Sequence, residues 1–289
     1  MLKPKRTAAA LAAVALLTAA CGRLNDDDGP GSGDDRISHP TGANDLVLRI
    51  DVGGGFVPVE YNLATIPSVS IYGDGRMIVT GPVIEIYPGP ALPNLQVTQL
   101  SEDALQAILR AADDAGLMDG DASYDYPCVT DLPSTTFTVV AEGRTNVVSA
   151  YALGFDDGAG ACEGVDTQAR AALAAFQSRF GDLKNLVPEG SLGAEEPYVP
   201  TEMRVFVLPY RGEPDLPQQP VEWPASGSLD RLGQPIEVLE DSRCGIVGGE
   251  DLTDLLAAAT TANQLTPWTS EGTEHSLIFR PLLPDEHDC

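Results

Sequence analysis

The chain has 289 residues, 43% of them hydrophobic, enough to bury cores in roughly two domains of about 150 residues each. Its 17 basic and 43 acidic side chains leave a net charge of −26. So acidic a surface repels phosphate backbones and anionic headgroups, which sets aside nucleic acid binding and membrane binding through basic patches.

Residues 1–20 read as a secretory signal: Lys3, Lys5 and Arg6, an apolar run from Ala8 to Ala20, and two small residues before Cys21. The run is about 13 residues, short of the roughly 20 that a spanning helix needs. Its removal would leave 14 basic against 43 acidic groups, a charge near −29. A cysteine directly after Ala19 and Ala20, with Leu16 and Leu17 upstream, resembles the lipobox of bacterial lipoproteins, with Thr18 standing where leucine is usual. That resemblance implies that Cys21 receives a diacylglycerol, becomes the first mature residue and carries acyl chains such as palmitate. Two or three chains, at about 0.8 kcal/mol per buried methylene, anchor a protein stably on a membrane. The expected location is the extracytoplasmic face of the cell membrane.

Residues 22–45 are rich in Asp, Gly, Ser and Pro and offer little to bury, so a disordered acidic tether is expected over 21–45. Beyond Cys21 stand four cysteines, Cys128, Cys162, Cys244 and Cys289, an even number suited to two disulfides in an exported protein. Residues 134–141 and 146–153 alternate as two strands around Glu142-Gly143, and Cys128 and Cys162 lie at the open ends of that hairpin. The expected pairs are therefore Cys128 with Cys162 and Cys244 with Cys289. Zinc is disfavoured, because no C-x-x-C occurs and no histidine lies nearby.

Residues 46–187 read as one α+β domain. A strand over 46–50 is followed by a hairpin, 68–72 and 76–80, around Asp74-Gly75, a dipeptide that tolerates positive φ. Pro82, Pro88, Pro90 and Pro93 then forbid regular structure. Ser101 caps a helix whose stripe is Leu105, Ile108, Leu109 and Ala112, with Glu102 and Asp103 complementing its dipole. A second helix over 167–180 buries Ala169, Ala172, Leu173, Phe176 and Phe180, and Gly181 is its expected stop. Residues 188–200 have the composition of a linker. A smaller α+β domain over 201–289 follows, with strands at 202–208, 235–239 and 276–280 and a helix at 250–262. The fold class expected is α+β, two small domains of antiparallel sheet packed with amphipathic helices.

The hairpin Ile71-Tyr72-Gly73-Asp74-Gly75-Arg76, the helix after it and Thr130-Asp131-Leu132-Pro133 leading into a strand resemble an exported bacterial domain of unknown function. The whole chain, with Tyr87-Pro-Gly-Pro-Ala-Leu-Pro-Asn94 and the ending Arg280-Pro-Leu-Leu-Pro-Asp-Glu286, resembles uncharacterised lipoproteins of high-GC bacteria. Neither resemblance carries a catalytic or binding residue.

Acyl-transfer triads need a base near neutral pK, and only three histidines are present. His39 falls in the tether, His287 near the C-terminus, and His275 reads as a surface turn residue. No G-x-S-x-G elbow or phosphate-binding glycine loop occurs, and Lys184, the only lysine after the signal, follows no glycine cluster. Asp119, Asp121, Asp125 and Asp131, with Ser123 and Thr130 among them, are a candidate calcium loop, although Tyr124 and Thr130 break the EF-hand pattern. The aromatics Trp223, Trp268, Tyr124, Tyr126, Tyr198 and Tyr210 read mostly as core or loop packing, and Trp223 and Trp268 are the first candidates for any exposed binding patch. The leading expectation is a membrane-anchored, non-catalytic binding or scaffolding protein of the cell envelope, with a protein or glycan partner and no cofactor. The alternatives are a carboxylate-dependent hydrolase of cell-wall or exported substrates and a calcium-stabilised envelope module.

Overall fold

Period-two burial builds the first sheet. In β6 (Ser134–Ala141) Thr135, Phe137, Val139 and Ala141 face inward, and after the Glu142-Gly143 turn β7 (Arg144–Tyr151) repeats the pattern with Asn146, Val148 and Ala150. Both turn residues have positive φ, the geometry that matches strand twist in a two-residue hairpin. The computed structural model describes residues 36–155 and 162–289, so the expected signal, Cys21 and the tether as far as residue 35 lie outside the described residues. Residues 36–289 form one compact unit of α+β architecture.

Eight strands make the first sheet. β1 (Leu46–Gly53) lies centrally between β6 and β2 (Val69–Tyr72), and the order continues through β3 (Arg76–Thr80), β4 (Leu95–Leu100) and the edge strand β8 (Leu192–Pro197). On the other side β5 (Ala122–Tyr124) pairs in parallel with β7. Two helices, α2 (Glu102–Asp114) and α3 (Thr167–Ser178), supply Leu105, Ile108, Leu109, Leu173 and Phe176 to a core shared with Leu48, Ile50, Ile71 and Phe137. Ser101 caps α2 by accepting from the Ala104 amide.

The linker expected at 188–200 carries β8 instead. Its side chains bury almost nothing, which is why its composition looked like a connector; backbone pairing with β4 holds it at the sheet edge. The helix expected to stop at Gly181 ends at Ser178 and continues as a 3-10 turn, Arg179–Asn185, because Leu183 and Leu186 still have core to cover. Residues 36–45, expected to belong to the tether, are ordered against the sheet. They cross the end of the sheet as a strap: Ile37 exchanges hydrogen bonds with Gln106, Ser38 accepts from the Glu142 amide, and the Asp45 carbonyl accepts from Gly73. A Cβ on Gly73 would meet the Pro40 carbonyl at 2.6 Å, so the turn is glycine where the strap passes.

The second sheet has six strands, in the order β10 (Val221–Glu222), β13 (Trp268–Ser270), β14 (Thr273–Pro281), β9 (Glu202–Pro209), β12 (Arg243–Gly248) and β11 (Gln234–Pro235). One face packs Met203, Val205, Leu277 and Phe279 against Leu252, Leu255 and Ala259 of α4 (Gly249–Ala259). The other face offers Phe206, Leu208 and Ile278 to Leu63 of α1 (Val59–Ala64). The strand expected at 235–239 is reduced to the two residues of β11, since Ile236 and Leu239 cover that second face from a turn.

Two disulfides close the fold: Cys128 to Cys162 and Cys244 to Cys289, both with Cα atoms 5.9 Å apart. Among the described residues no helix is long and apolar enough to cross a membrane.

Candidate functional site

The tryptophans singled out for an exposed patch are core residues. Trp268 is 1% exposed and Trp223 7%, their rings 6.5 Å apart edge to face, and Trp268 also meets Phe279 at 5.3 Å. The flanking prolines gave both a loop-like setting in sequence. Their rings nevertheless supply the bulk that fills the space beneath a short, six-stranded sheet, and the binding expectation for them is overturned.

The four aspartates expected to hold calcium are not brought together. Asp121 accepts the Val147 amide at 2.8 Å, and Asp131, at φ 66°, takes the Thr130 hydroxyl at 3.0 Å. Asp119 and Asp121 share a shallow depression with Asp114 and Asp166, while Asp125 and Asp131 stand exposed elsewhere. Among the described residues no group of three or more His, Cys, Asp or Glu side chains could hold a metal ion. The strand β5 interrupts what sequence spacing suggested was one loop.

The histidines also moved. His39 is held in the strap, its Nδ1 2.7 Å from the Pro40 carbonyl and its Nε2 3.3 Å from Glu102. Burial would raise the Glu102 carboxyl, but hydrogen bonds from Gln106 and His39 and the charges of His39 and Arg36 pull it below the usual range. His275 is not on a surface turn. It is 7% exposed within β14 beside Trp268, with Nε2 3.6 Å from Asp230 and no hydrogen bond.

Among the described residues, two of the cavities and one surface are candidate sites. A groove of about 920 Å3 runs over the helix-side face of β1 to β4, floored by Ile50, Val69 and Met77 and walled by Phe180 and Leu183, with Lys184 at its rim. A smaller cavity, about 420 Å3, lies between the facing surfaces of the two sheets under α1 and is lined by Asp51, Asn62, Thr65, Arg204 and Arg280.

Beside that cavity the last eight residues, 282–289, cross the opposite face of the first sheet. Leu283 joins Tyr72, Ile78 and Leu95 in a small core. Asp285 accepts from Arg49 at 2.7 Å and from the Tyr72 hydroxyl at 2.8 Å. Glu286 takes two hydrogen bonds from Arg280, at 2.6 and 2.7 Å, and one from the Leu283 amide at 3.0 Å. Burial alone would raise the Glu286 carboxyl; the Arg280 and Leu283 hydrogen bonds, with the charges of Arg280 and Arg204, outweigh it and hold the pKa low. Burial, with Asp285 beside it, pushes the Tyr72 phenol well up, and burial raises Tyr198 to about 12. Tyr72 and the segment Arg280 to Glu286 entered the sequence analysis only as parts of resemblances, and no site role was expected of them or of Arg49. The available signal was a charge on the face of an apolar strand, as in Leu-Val-Leu-Arg49-Ile-Asp51-Val, where Arg49 and Asp51 alternate onto one side.

The surface lies at one end of the first sheet. Val83, Ile84, Ile86 and Tyr87 are between 56% and 69% exposed, and Phe56 is 89% exposed. Their loops leave the ends of β3 and β1, at Thr80 and Gly53. The strap that receives the chain at Arg36 covers the other end, where it meets the β6–β7 and β2–β3 turns. Eight residues of β1 separate the two ends, roughly 25 Å at about 3.3 Å per residue.

No protein-family model matches the chain, and neither the curated proteins nor the solved structures give a match.

Proposed function

We propose that the protein is an extracytoplasmic lipoprotein, anchored to the membrane through lipid on Cys21, with a non-catalytic binding or scaffolding role in the cell envelope. The observation that carries this reading is the exposed apolar set on residues 56 and 83–87, at the end of the sheet away from Arg36. Aliphatic and aromatic side chains left in water on a strongly acidic protein mark an interaction surface. The net negative charge of the chain, which repels anionic headgroups, favours an envelope protein over a bilayer surface as what covers them. The signal-like residues 1–20 and the lipobox-like Ala19-Ala20-Cys21 support the anchoring.

The hydrolase alternative asks for a carboxyl kept neutral as an acid beside an ionised partner. In the tail beside the cavity the opposite is favoured: Asp285 and Glu286 each sit on a guanidinium, and Glu286 is held ionised.

The test is site-specific photocrosslinking in intact envelopes from position 84, with a probe at position 45 on the strap as control and a Cys21→Ala form alongside. One recurring protein partner from position 84, absent from position 45 and lost when Cys21 is replaced, is the expected result. Lipid adducts alone, or the same background proteins from both positions, would overturn the partner surface. Unchanged membrane-bound mature protein after Cys21→Ala would overturn the anchor.

A further inference from the structure

The helices do not close over the whole helix-side face of the first sheet. Among the described residues, none from α2 and only Gln177 from α3 line the groove of about 920 Å3 above β1 to β4. Its walls come from the 3-10 turn, with Phe180 and Leu183, and from β8, with Leu192. These three side chains and Val79 of β3 pack on the core only in part, so each keeps accessible apolar surface in the groove.

The floor offers a ligand few hydrogen bonds. β1, β2, β3 and β4 each lie between two paired strands, so their main-chain groups are spent within the sheet, and the Ser68 hydroxyl donates to the Ile50 carbonyl at 3.0 Å. A peptide laid along that floor would lose water from its amides without gaining partners, whereas an alkyl chain asks for none. Charge enters the groove through three side chains: Lys184, the only cation lining it, with Asp182 and Glu195. Asp182 accepts from the Asn185 side-chain amide at 2.5 Å, and Glu195 stands on the other wall, in β8. Lys184 is exposed and, among the described residues, has no carboxylate within 4.0 Å.

We propose that this groove binds a long-chain fatty acid, its alkyl chain against Val79, Phe180, Leu183 and Leu192 and its carboxylate on Lys184. The volume falls in the range of small-molecule sites. Asp182, Glu195 and the acidity of the whole chain work against an anion that brings no alkyl chain. Burial of the chain therefore supplies the affinity, and Lys184 decides which end of the ligand faces water. No residue of the exposed loops at 56 and 83–87 lines the groove, so its failure and that of the partner surface are distinguishable.

The experiment is displacement of cis-parinaric acid, read by its fluorescence, from the intact protein with both disulfides formed. The competitors are sodium octanoate, laurate and palmitate below their micellar concentrations, beside sodium acetate and 1-monopalmitoylglycerol. One saturable site is expected, with affinity rising by about threefold for each added methylene until the groove is full, and with no competition from acetate. Monopalmitoylglycerol should compete about threefold more weakly than palmitate, the scale of an exposed ion pair, and Lys184→Gln should remove that difference. Leu183→Glu sets a carboxylate on the apolar wall and should weaken palmitate by about tenfold or more, while Ile84→Glu, outside the groove, should leave it unchanged. Because Leu183 also packs on the core, a diazirine-bearing palmitate on the unsubstituted protein is a second readout, with adducts expected in residues 77–80 and 177–195. Absence of saturation would overturn the proposal, as would an affinity indifferent to chain length. So would monopalmitoylglycerol binding as tightly as palmitate, or adducts confined to residues 56 and 83–87.

Discussion

Replacing Glu286 by glutamine tests whether the C-terminal tail is held by charge. The side chain keeps its shape but one oxygen becomes an amide nitrogen, which then points its hydrogens at a guanidinium N–H that it formerly accepted. Two of the three hydrogen bonds on this carboxylate come from Arg280, whose side chain is 8% exposed against 16% for Glu286. Removing one partner of a well-buried ion pair costs about 3 to 5 kcal/mol, chiefly because the other charge is stranded. The residual exposure of Glu286 places the expected loss near the lower figure, about 3 kcal/mol in urea unfolding at pH 7. The pair as a unit is worth less than its breakage. The double substitution Arg280→Met with Glu286→Leu should therefore cost well under the sum of the two singles, with a coupling of about 2 kcal/mol. The sign of the pH dependence follows from the depressed carboxyl. A group whose folded pKa lies below its unfolded value, about 4.3 for glutamate, contributes fully above that value and loses its contribution as pH falls through the folded pKa. The stability gap between the native protein and Glu286→Gln should thus be flat from neutrality to about pH 5 and shrink below pH 4. A gap under about 0.5 kcal/mol at pH 7, the ordinary size for surface changes, would refute the reasoning. So would a gap that persists unchanged in acid.

Cys289→Ser opens a crosslink between residues 45 apart in sequence, for which loop-closure entropy alone gives about 4 kcal/mol; a fall of at least 2 kcal/mol in unfolding free energy under non-reducing conditions is expected, and no change would mean that the tail is held without it. Trp268→Ala empties a fully buried site between Trp223 and Phe279 and should cost about 3 to 5 kcal/mol, whereas a loss under 1 kcal/mol would return that ring to the surface. Addition of calcium or of chelator should leave the melting temperature where it is, because Asp119, Asp121, Asp125 and Asp131 do not converge; a saturable rise with calcium would contradict that.

The elements that sequence made legible are those whose signal is local. The alternation of residues 134–141, the Asp74-Gly75 and Glu142-Gly143 turns, the Ser101 cap and the apolar stripe of α2 each depend on neighbours within a few positions, and each is in place. The Cys128–Cys162 pair follows from the same local reading, because the hairpin brings its open ends together wherever the rest of the chain goes, and Cys244–Cys289 is the pair then left. What was not legible depends on distant partners. β8 is a strand only because β4 offers it an edge, so Leu-Gly-Ala-Glu-Glu-Pro has no pattern of its own to read. Residues 36–45 looked like tether because their partners, Gln106 and Glu142, lie 69 and 104 positions away. The same holds at the interface of the sheets, where Arg49 meets Asp285 across 236 positions. Sequence marks Arg49 and Asp51 as out of place on a strand, and cannot name what faces them.

The order in which the chain is made bears on this interface. Arg49 and Tyr72 are synthesised early, and their partner Asp285 follows 236 and 213 residues later, so the outer face of the first sheet stays without its ionic and apolar cover until that segment has been made. Arg280 and Arg204 likewise await Glu286 and the Asp288 carbonyl. The final residue, Cys289, then fixes the tail to Cys244 on the second sheet, a bond that persists only where thiols are not kept reduced. With export as proposed, the tail is locked after the chain has reached an oxidising compartment. The cavity beside it, bounded by Arg204, Arg280 and Cys289, takes its final shape at that same step.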